Sequence, residues 1–182
     1  EDTATMGVEA ARLVLNSWNG EDPQTIWFSS SNPPYMEKTN ANVLHAALQL
    51  PKSTRAYDFG GAAKSGVGAL QTAVSSKETV LLIQADTRTG LPSGEDEILG
   101  GDAAAALLIG DHDDGPLLAQ YLGGASATEE FIDRWRSPYE KNSQQWEERF
   151  TTSRYLLLVE SAWEEALENV GLDPDQIQSV VV

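Results

Sequence analysis

The hydrophobic positions of this chain follow helical spacing in some segments and strand-like spacing in others. Met6, Ala10, Leu13 and Val14 recur at the three- and four-residue spacing of one helix face, so a helix is predicted over about residues 4–17. By the same criteria, further helices are predicted over about 39–50, 66–75 and 152–170, and strands over 25–29, 55–59, 79–85, 102–109, 116–122 and 178–182. Segments rich in polar residues, glycine and proline separate these elements, as expected of loops.

Strands that alternate with helices are typical of an α/β fold. Strand–helix–strand units place successive strands in parallel, so a largely parallel sheet is predicted. Ligands of such sheets bind beyond the carboxyl ends of the strands. The loop after Ser29 and the turn after Phe59 both begin at such ends. We therefore expect the functional site where these two connections meet.

An internal similarity links the start of the chain to its last part. When Val8–Phe28 is set against Val159–Ser179 without gaps, both segments show a helix pattern, a glycine, an Asp-Pro pair and a strand pattern. Two interpretations stay open: α/β proteins often share this turn chemistry, or the fold is duplicated. Duplication predicts a first repeat over residues 1–150, with an aromatic-rich insertion at 124–150, and the helix and strand that open a second repeat over 151–182.

The chain is strongly acidic. Its 182 residues include 28 Asp and Glu against 12 Lys and Arg, which gives a formal net charge of −16. Nucleic acids and anionic membranes both favour basic surfaces, so neither is an expected partner. The longest apolar run, residues 103–109, is too short to span a bilayer, and the first residues lack the basic and apolar regions of a signal peptide. A cytoplasmic protein is therefore predicted.

The segment Ala56–Gly66 has the small-residue composition of a tight turn between a strand and a helix. A side chain at the start of such a helix lies at the positive end of the helix dipole, which lowers the pKa of a thiol there. This is where a covalent acyl enzyme keeps its nucleophilic cysteine. Here the position is Ala63, and the chain contains no cysteine. The sequence thus combines a turn suited to acyl chemistry with the absence of an attacking sulfur.

Several segments, taken in order, resemble one family. They are Ser30–Lys38 (SSNPPYMEK), Ala62–Gly66 (AAKSG), the stretch from Ala85-Asp86-Thr87 through Gly90 to Gly101–Ala106, and Asp133–Arg136 (DRWR). Together they resemble the thiolase superfamily, above all its hydroxymethylglutaryl-CoA synthase branch of archaeal and bacterial type, and more distantly ketoacyl-ACP synthase III. The resemblance implies an α/β thiolase-like half: a mostly parallel mixed sheet with helices on both faces, of βαβαβαββ type with the first strand missing from this chain.

The chain departs from this family at the residues that perform its chemistry. The resemblance implies that Ala63 stands at the position of the acyl-accepting cysteine and Ser31 at that of a general-base glutamate. It places the catalytic histidine of the family in a stretch that would follow Val182. Because alanine has no lone pair, Ala63 cannot form an acyl enzyme. No catalytic residue of the family is therefore intact here.

The resemblance also implies a CoA thioester as the ligand, without a metal or a separate cofactor. The candidate ligand-binding residues are Asn32, Tyr35, Lys64, Ser65 and Arg136. A lysine at a helix start can contact a phosphate or carboxylate, although a solvated surface lysine is the simpler interpretation. An arginine can bind a CoA phosphate with two hydrogen bonds, but the aromatic residues around Arg136 are also those of an insertion packed on the body of the protein.

Three functional hypotheses stay open. In the first, the chain is a hydroxymethylglutaryl-CoA synthase/thiolase-like domain that binds acyl-CoA thioesters but does not perform cysteine-dependent condensation alone. In the second, it is an active acyl-CoA condensing acyltransferase in which an engineered alanine replaces the cysteine. In the third, it is a non-catalytic interaction subunit of an acyl-CoA complex. The resemblance implies a homo- or hetero-oligomer of thiolase-fold subunits, with a thiolase and a zinc-ribbon/OB-fold accessory protein as further partners.

Overall fold

The computed structural model describes residues 2–62, 64–111 and 117–181. The chain divides into two compact units, Glu1–Leu118 and Ala119–Val182. The first unit contains the helices α1 (Thr3–Ser17), α2 (Ala41–Ala47), α3 (Ser65–Val74) and α4 (Glu95–Ile98), and the strands β1 (Thr25–Ser30), β2 (Arg55–Gly60), β3 (Val80–Asp86) and β4 (Ala103–Ile109). These four strands and the first three helices were all predicted from the spacing of apolar residues.

The four strands form one mixed sheet in the order β2-β1-β3-β4. β1 pairs in parallel with β2 and with β3, whereas β4 pairs antiparallel with β3. Helices α2 and α3 make the long connections that parallel strands require. The predicted fold class, a mostly parallel mixed sheet with helices, is confirmed, and the short helix α4 is an addition before β4.

Helices cover both faces of this sheet, because alternate residues of a strand point to opposite sides. On one face, Phe28 and Ile83 are buried in a cluster with α1 and with Leu44 of α2. On the other face, Leu82 is buried in a second cluster with Ala73 of α3. The nearly continuous apolar run of β3 is explained by this arrangement, since its residues are covered from both sides.

Helix α1 packs closely enough on the sheet to require a glycine. A Cβ atom on Gly7 would lie 2.9 Å from Cγ2 of Ile83 and 3.2 Å from Cδ2 of Leu44. The helix begins after Asp2, whose carboxylate accepts a hydrogen bond of 2.8 Å from the backbone N–H of Thr5. This bond and the one from the Thr5 hydroxyl hold the pKa of Asp2 below its ordinary value.

The second unit contains a short antiparallel pair, β5 (Arg134–Trp135) and β6 (Gln144–Gln145), and the 23-residue helix α5 (Glu148–Val170). Helix α5 ends at Gly171, whose φ of 68° is left-handed. No residue of α5 is buried, and Tyr155 and Leu157 of this helix are exposed. Across the described ranges, no helix has both the length and the apolar character needed to cross a membrane.

Two predicted strands are wrong within the described residues. Residues 117–122 and 178–181 do not form strands, while Pro116 and Val182 lie outside the described residues. A strand exists only through backbone hydrogen bonds to a neighbouring strand, and no described strand pairs with either segment. Leu122 and Val180 consequently stay exposed. Apolar residues in these segments led to the prediction of strands, but a strand also needs a paired neighbour.

The other differences concern where helices begin and end. Helix α2 occupies Ala41–Ala47 within the predicted 39–50, because a hydrogen bond from Leu50 N–H to the His45 carbonyl closes the chain into a turn. Helix α5 begins at Glu148, before the predicted start at 152. The division into repeats at residue 150 stays a prediction.

Candidate functional site

The carboxyl ends of the three parallel strands lie at one edge of the sheet, called here the carboxyl edge. β1 ends at Ser30, which is paired with Gly60, the last residue of β2. On its other side Ser29 is paired with Gln84, and β3 continues to Asp86. The loop after β1 (residues 31–40, the β1 loop) and the turn after β2 (residues 61–64, the β2 turn) therefore leave the sheet side by side, as the sequence predicted.

Ser31, the predicted general-base position, is held by Asp86 at the end of β3. One carboxylate oxygen of Asp86, Oδ1, accepts hydrogen bonds from Ser31 N–H at 2.7 Å, from Ser31 Oγ at 2.9 Å and from Ser30 Oγ at 3.2 Å. Hydrogen bonds to a charged acceptor are stronger than those between neutral groups, so this carboxylate fixes the start of the β1 loop. The hydroxyl of Ser31 donates to Asp86 and is not itself a base.

Asn32 forms hydrogen bonds with residues in three parts of the first unit. Its side-chain amide donates to Thr87 Oγ1 at 2.8 Å, and its backbone N–H donates to Ser30 Oγ at 3.0 Å. Its carbonyl accepts a hydrogen bond of 3.1 Å from the hydroxyl of Thr3 in α1. The contacts of Asn32 therefore join the β1 loop to α1 and to the residue after β3.

Asn40 organises the far end of the β1 loop. Its side-chain amide exchanges two hydrogen bonds with the backbone of Tyr35, accepting from N–H at 3.1 Å and donating to the carbonyl at 2.9 Å. The carboxylate of Asp58 in β2 accepts bonds from Asn40 N–H, from the Asn40 amide and from Ala41 N–H, at 2.7–3.0 Å. Asp58 thus caps the start of α2 from a neighbouring strand, and Asn40 itself is 3% exposed.

The described residues of the β2 turn are held by a glycine conformation and by the hydroxyl of Ser65. Gly61 has a φ of 95°, a backbone conformation that favours glycine. The hydroxyl of Ser65 donates to the Gly60 carbonyl at 3.0 Å and accepts from Ala62 N–H at 3.3 Å, which closes the turn at the start of α3. Lys64 precedes α3 and is exposed. Ala63, the predicted nucleophile position, lies outside the described residues.

An open cavity of about 470 Å³ lies between the β1 loop and the end of β2. Its lining includes Tyr35 and Met36 of the loop and the glycines Gly60 and Gly61. The ammonium group of Lys38 lies 4.6 Å from the centroid of the Tyr35 ring, within the range of a cation–π contact. The cavity thus extends from the β1 loop to the first residue of the β2 turn.

The structure brings most of the predicted site residues to the carboxyl edge of the first unit: Ser31, Asn32, Tyr35, Lys64 and Ser65. Asn32 and Ser65 use hydrogen-bonding groups to hold the loop and the turn. Arg136 is the remaining predicted ligand-binding residue. It belongs to the second unit, where it follows β5 and is exposed.

Four residues that organise this edge were not recognised as site residues in the sequence: Asn40, Asp58, Gln84 and Asp86. Two signals were available, because Asp58 and Asp86 both lie near the ends of apolar strands, where a carboxylate can accept bonds from loop N–H groups. Nothing local distinguishes Asn40 from other loop asparagines, or Gln84 from a surface glutamine. Their partners are 18 residues away in the chain.

Comparison with known proteins gives relatives that match the whole chain. No family model matches it. The hydroxymethylglutaryl-CoA synthase of Methanocella arvoryzae is 33% identical over 190 residues, which covers 100% of this chain and 53% of that protein. The chain therefore spans about half the length of this curated relative.

Two solved structures resemble the fold. MvaS in complex with 3-hydroxy-3-methylglutaryl coenzyme A gives a TM-score of 0.77 at 22% identity, covering 99% of this chain and 45% of MvaS. An HMG-CoA synthase complexed with CoA gives a TM-score of 0.79 at 17% identity, covering 96% of this chain and 45% of that one. At these identities the structures support the fold alone.

Fold and carboxyl edge together define the chain as a thiolase-like α/β protein. Within that class it is hydroxymethylglutaryl-CoA synthase-like over the half that it spans. The resemblance predicted from the ordered segments, including Ser30–Lys38 and Ala62–Gly66, is therefore confirmed.

Proposed function

We propose that this chain is an acyl-CoA condensing acyltransferase-like domain that binds CoA thioesters at the carboxyl edge and does not itself perform cysteine-dependent condensation. The observation that carries the proposal is the β2 turn: it keeps a strand-to-helix geometry at this edge, while its sequence has alanine at position 63 and the chain has no cysteine. The relative from Methanocella arvoryzae and the structures with bound CoA and hydroxymethylglutaryl-CoA support the ligand class.

The binding chemistry follows from the start of α3. Backbone N–H groups in the first turn of a helix lie at the positive end of its dipole and favour a carbonyl oxygen or an anion. Lys64, exposed just before α3, supplies a cation for a phosphate or carboxylate of the ligand. The adjoining cavity, lined by Tyr35 and Met36, accommodates an apolar part of the ligand. Without a sulfur at position 63 the thioester is bound and not cleaved by acyl transfer to the enzyme.

Isothermal titration calorimetry of the chain with acetyl-CoA and with longer acyl-CoAs tests this function. We expect binding, and we expect Lys64→Ala to weaken it. Lys52→Ala is the matched control, because Lys52 is an exposed lysine before β2, at the opposite end of that strand. Absence of both heat and a thermal shift at millimolar ligand would instead favour a non-catalytic interaction subunit.

Restoring the nucleophile gives a second test. The variant Ala63→Cys, incubated with acetyl-CoA, is expected to gain one acetyl group in its intact mass, because the helix start lowers the pKa of a thiol placed there. The unsubstituted chain is expected to gain none. A cysteine codon at position 63 of the natural gene would show that the alanine is engineered and that the natural protein is the active condensing acyltransferase.

We further propose that the protein works as a homo- or hetero-oligomer of thiolase-fold subunits. Helix α5 supports this, because apolar side chains on it, such as Tyr155, Leu156 and Leu157, are exposed in the described part of the chain. Light scattering coupled to size-exclusion chromatography tests it, and a monomer at micromolar concentration contradicts it. The accessory partners and the cytoplasmic location stay predictions.

A further inference from the structure

A polar side chain interrupts the apolar inner strand of the first unit. Val80–Ile83 of β3 are fully buried, and Gln84 follows them as a half-buried residue. Gln84 is on the same face of the sheet as Leu82, the face that packs against α3. Its partner in the next strand is Ser29, so Gln84 lies one row before the pair Ser30–Gly60 that ends β1 and β2 at the carboxyl edge.

The side chain of Gln84 contacts the first turn of α3. Its amide nitrogen Nε2 donates to the carbonyl of Gly66 at 2.7 Å. A Cβ atom on Gly66 would lie 3.2 Å from both Cδ and Nε2 of Gln84, closer than nearly all real contacts of this kind. The amide therefore borders the space that a side chain at position 66 would fill, and an alanine there would require it to shift by a few tenths of an ångström.

This contact ties the β2 turn to the strand that also holds the β1 loop. Gln84 is half-buried, and an amide removed from water is costly unless it is hydrogen-bonded, so the bond to Gly66 favours one position of the helix start. Two residues further along β3, Asp86 binds Ser31. One strand thus contacts both the start of α3 and the start of the β1 loop.

We propose that Gln84 is a positioning residue that sets the start of α3 for ligand binding. It acts through Gly66 and contacts no ligand itself. The proposal rests on the proposed function where it is tested by the affinity for a ligand. It is also tested by the local stability of the turn, and that measurement needs no ligand.

The variant Gln84→Leu removes the donor and keeps a side chain of similar size. We expect the backbone amides of residues 64–68 to exchange hydrogen about tenfold faster, the equivalent of losing one hydrogen bond. We expect the Kd for acetyl-CoA to rise by a similar factor, about tenfold, with the global unfolding midpoint little changed. Gln71→Leu is the matched control, since Gln71 is exposed on α3, and it is expected to leave both values unchanged.

The variant Gln84→Glu separates positioning from general packing. At neutral pH a carboxylate has no proton to donate to the Gly66 carbonyl, whereas the protonated acid does. After correction for intrinsic rates, exchange at residues 64–68 should be fast at neutral pH and should return to that of the unsubstituted chain on acidification. The unsubstituted chain should show no such change. A pH-independent profile for the variant would overturn the proposal.

A double-mutant cycle covers the case in which Gln84→Leu fails to fold. Gly66→Ala should loosen the turn, because its methyl group meets the amide of Gln84, and Gln84→Ala should relieve that crowding, giving strong coupling between the two positions. The proposal would be overturned if the effects of the two substitutions on exchange rates were additive. It would also be overturned if the amides of the whole first unit lost protection equally, or if the Kd stayed unchanged although the amides of residues 64–68 exchanged faster. Failure of the unsubstituted chain to bind acetyl-CoA would contradict the proposed function, and the exchange data would still decide whether Gln84 positions the turn.

Discussion

The β1 loop and the β2 turn leave the same edge of one sheet, but they are held by different means. The loop is bound by a carboxylate at each end, Asp86 at its start and Asp58 at its finish, and by the buried amide of Asn40. The described residues of the turn have the backbone freedom of Gly61 and two hydrogen bonds of the Ser65 hydroxyl, and Gln84 contacts the first turn of α3 that follows. The described loop is thus held by carboxylates of the sheet, whereas the described part of the turn is held by neutral groups.

This difference bears on the stability of the two regions. The hydrogen bonds described for the β1 loop join it to α1, to β2 and to the end of β3. Substitutions that remove these partners of the loop should therefore cost more stability than substitutions in the turn.

The largest loss of stability is expected for a substitution at Asn40, and this prediction is the strongest test of how the β1 loop is held. Asn40→Ala leaves the backbone N–H and carbonyl of Tyr35 without their partner and removes a donor to Asp58. We expect a loss of about 2–3 kcal/mol in the free energy of unfolding, measured with urea. Asn42→Ala, an exposed position on α2, is the control and should change stability by less than about 0.5 kcal/mol.

Asp86→Ala tests the other end of the loop. Three donors on one carboxylate oxygen lose their acceptor, so we expect a loss of about 2 kcal/mol together with faster hydrogen exchange at Ser31. Asp102→Ala serves for comparison, because the carboxylate of Asp102 accepts a bond from Arg88 N–H at an exposed position, and its loss should cost less. Equal losses for the two variants would show that Asp86 has no special part in holding the loop.

Two adjacent glycines sharpen the comparison within the turn. Gly61→Ala forces a side chain onto a φ of 95° and should cost about 1–2 kcal/mol. Gly60→Ala should be close to neutral, because the nearest atom to its new methyl group would be 3.7 Å away and its φ is not positive. Thermal unfolding of both variants measures the two losses of stability. Equal losses would mean that Gly61 does not have a left-handed backbone conformation.

The smallest expected effect is at the N-cap of α1, the helix whose Thr3 hydroxyl donates to the carbonyl of Asn32 in the loop. Asp2→Ala removes the acceptor for Thr5 N–H and should cost about 1 kcal/mol near neutral pH. Because the folded protein holds the pKa of Asp2 below its ordinary value, this stabilisation is complete above about pH 4 and disappears as the pH falls through the folded pKa. Urea unfolding of both chains across this range should show the difference shrinking with acid, and a constant difference would contradict it.

Local sequence patterns predicted much of this fold and part of the site. The apolar runs located β1–β4, and the small residues after Phe59 located the β2 turn, because periodicity and turn chemistry are properties of neighbouring residues. The same rules were wrong at 117–122 and 178–181, where the strand pattern is present but no described strand pairs with it. Edge pairing is a property of two segments, and one segment cannot reveal it.

The amino-acid order is sufficient to predict an acidic α/β chain of thiolase-like type with small residues in the turn after β2, since these features reside in composition, periodicity and short motifs. It does not show that Asp86 accepts a hydrogen bond from Ser31, that Asp58 of β2 caps the start of α2, or that Gln84 donates a hydrogen bond to Gly66. Those contacts join residues 17–55 positions apart, and they arise from the register of β1 against β2 and β3. Register is set when buried faces pack together, so the working geometry of the carboxyl edge emerges with the folded sheet.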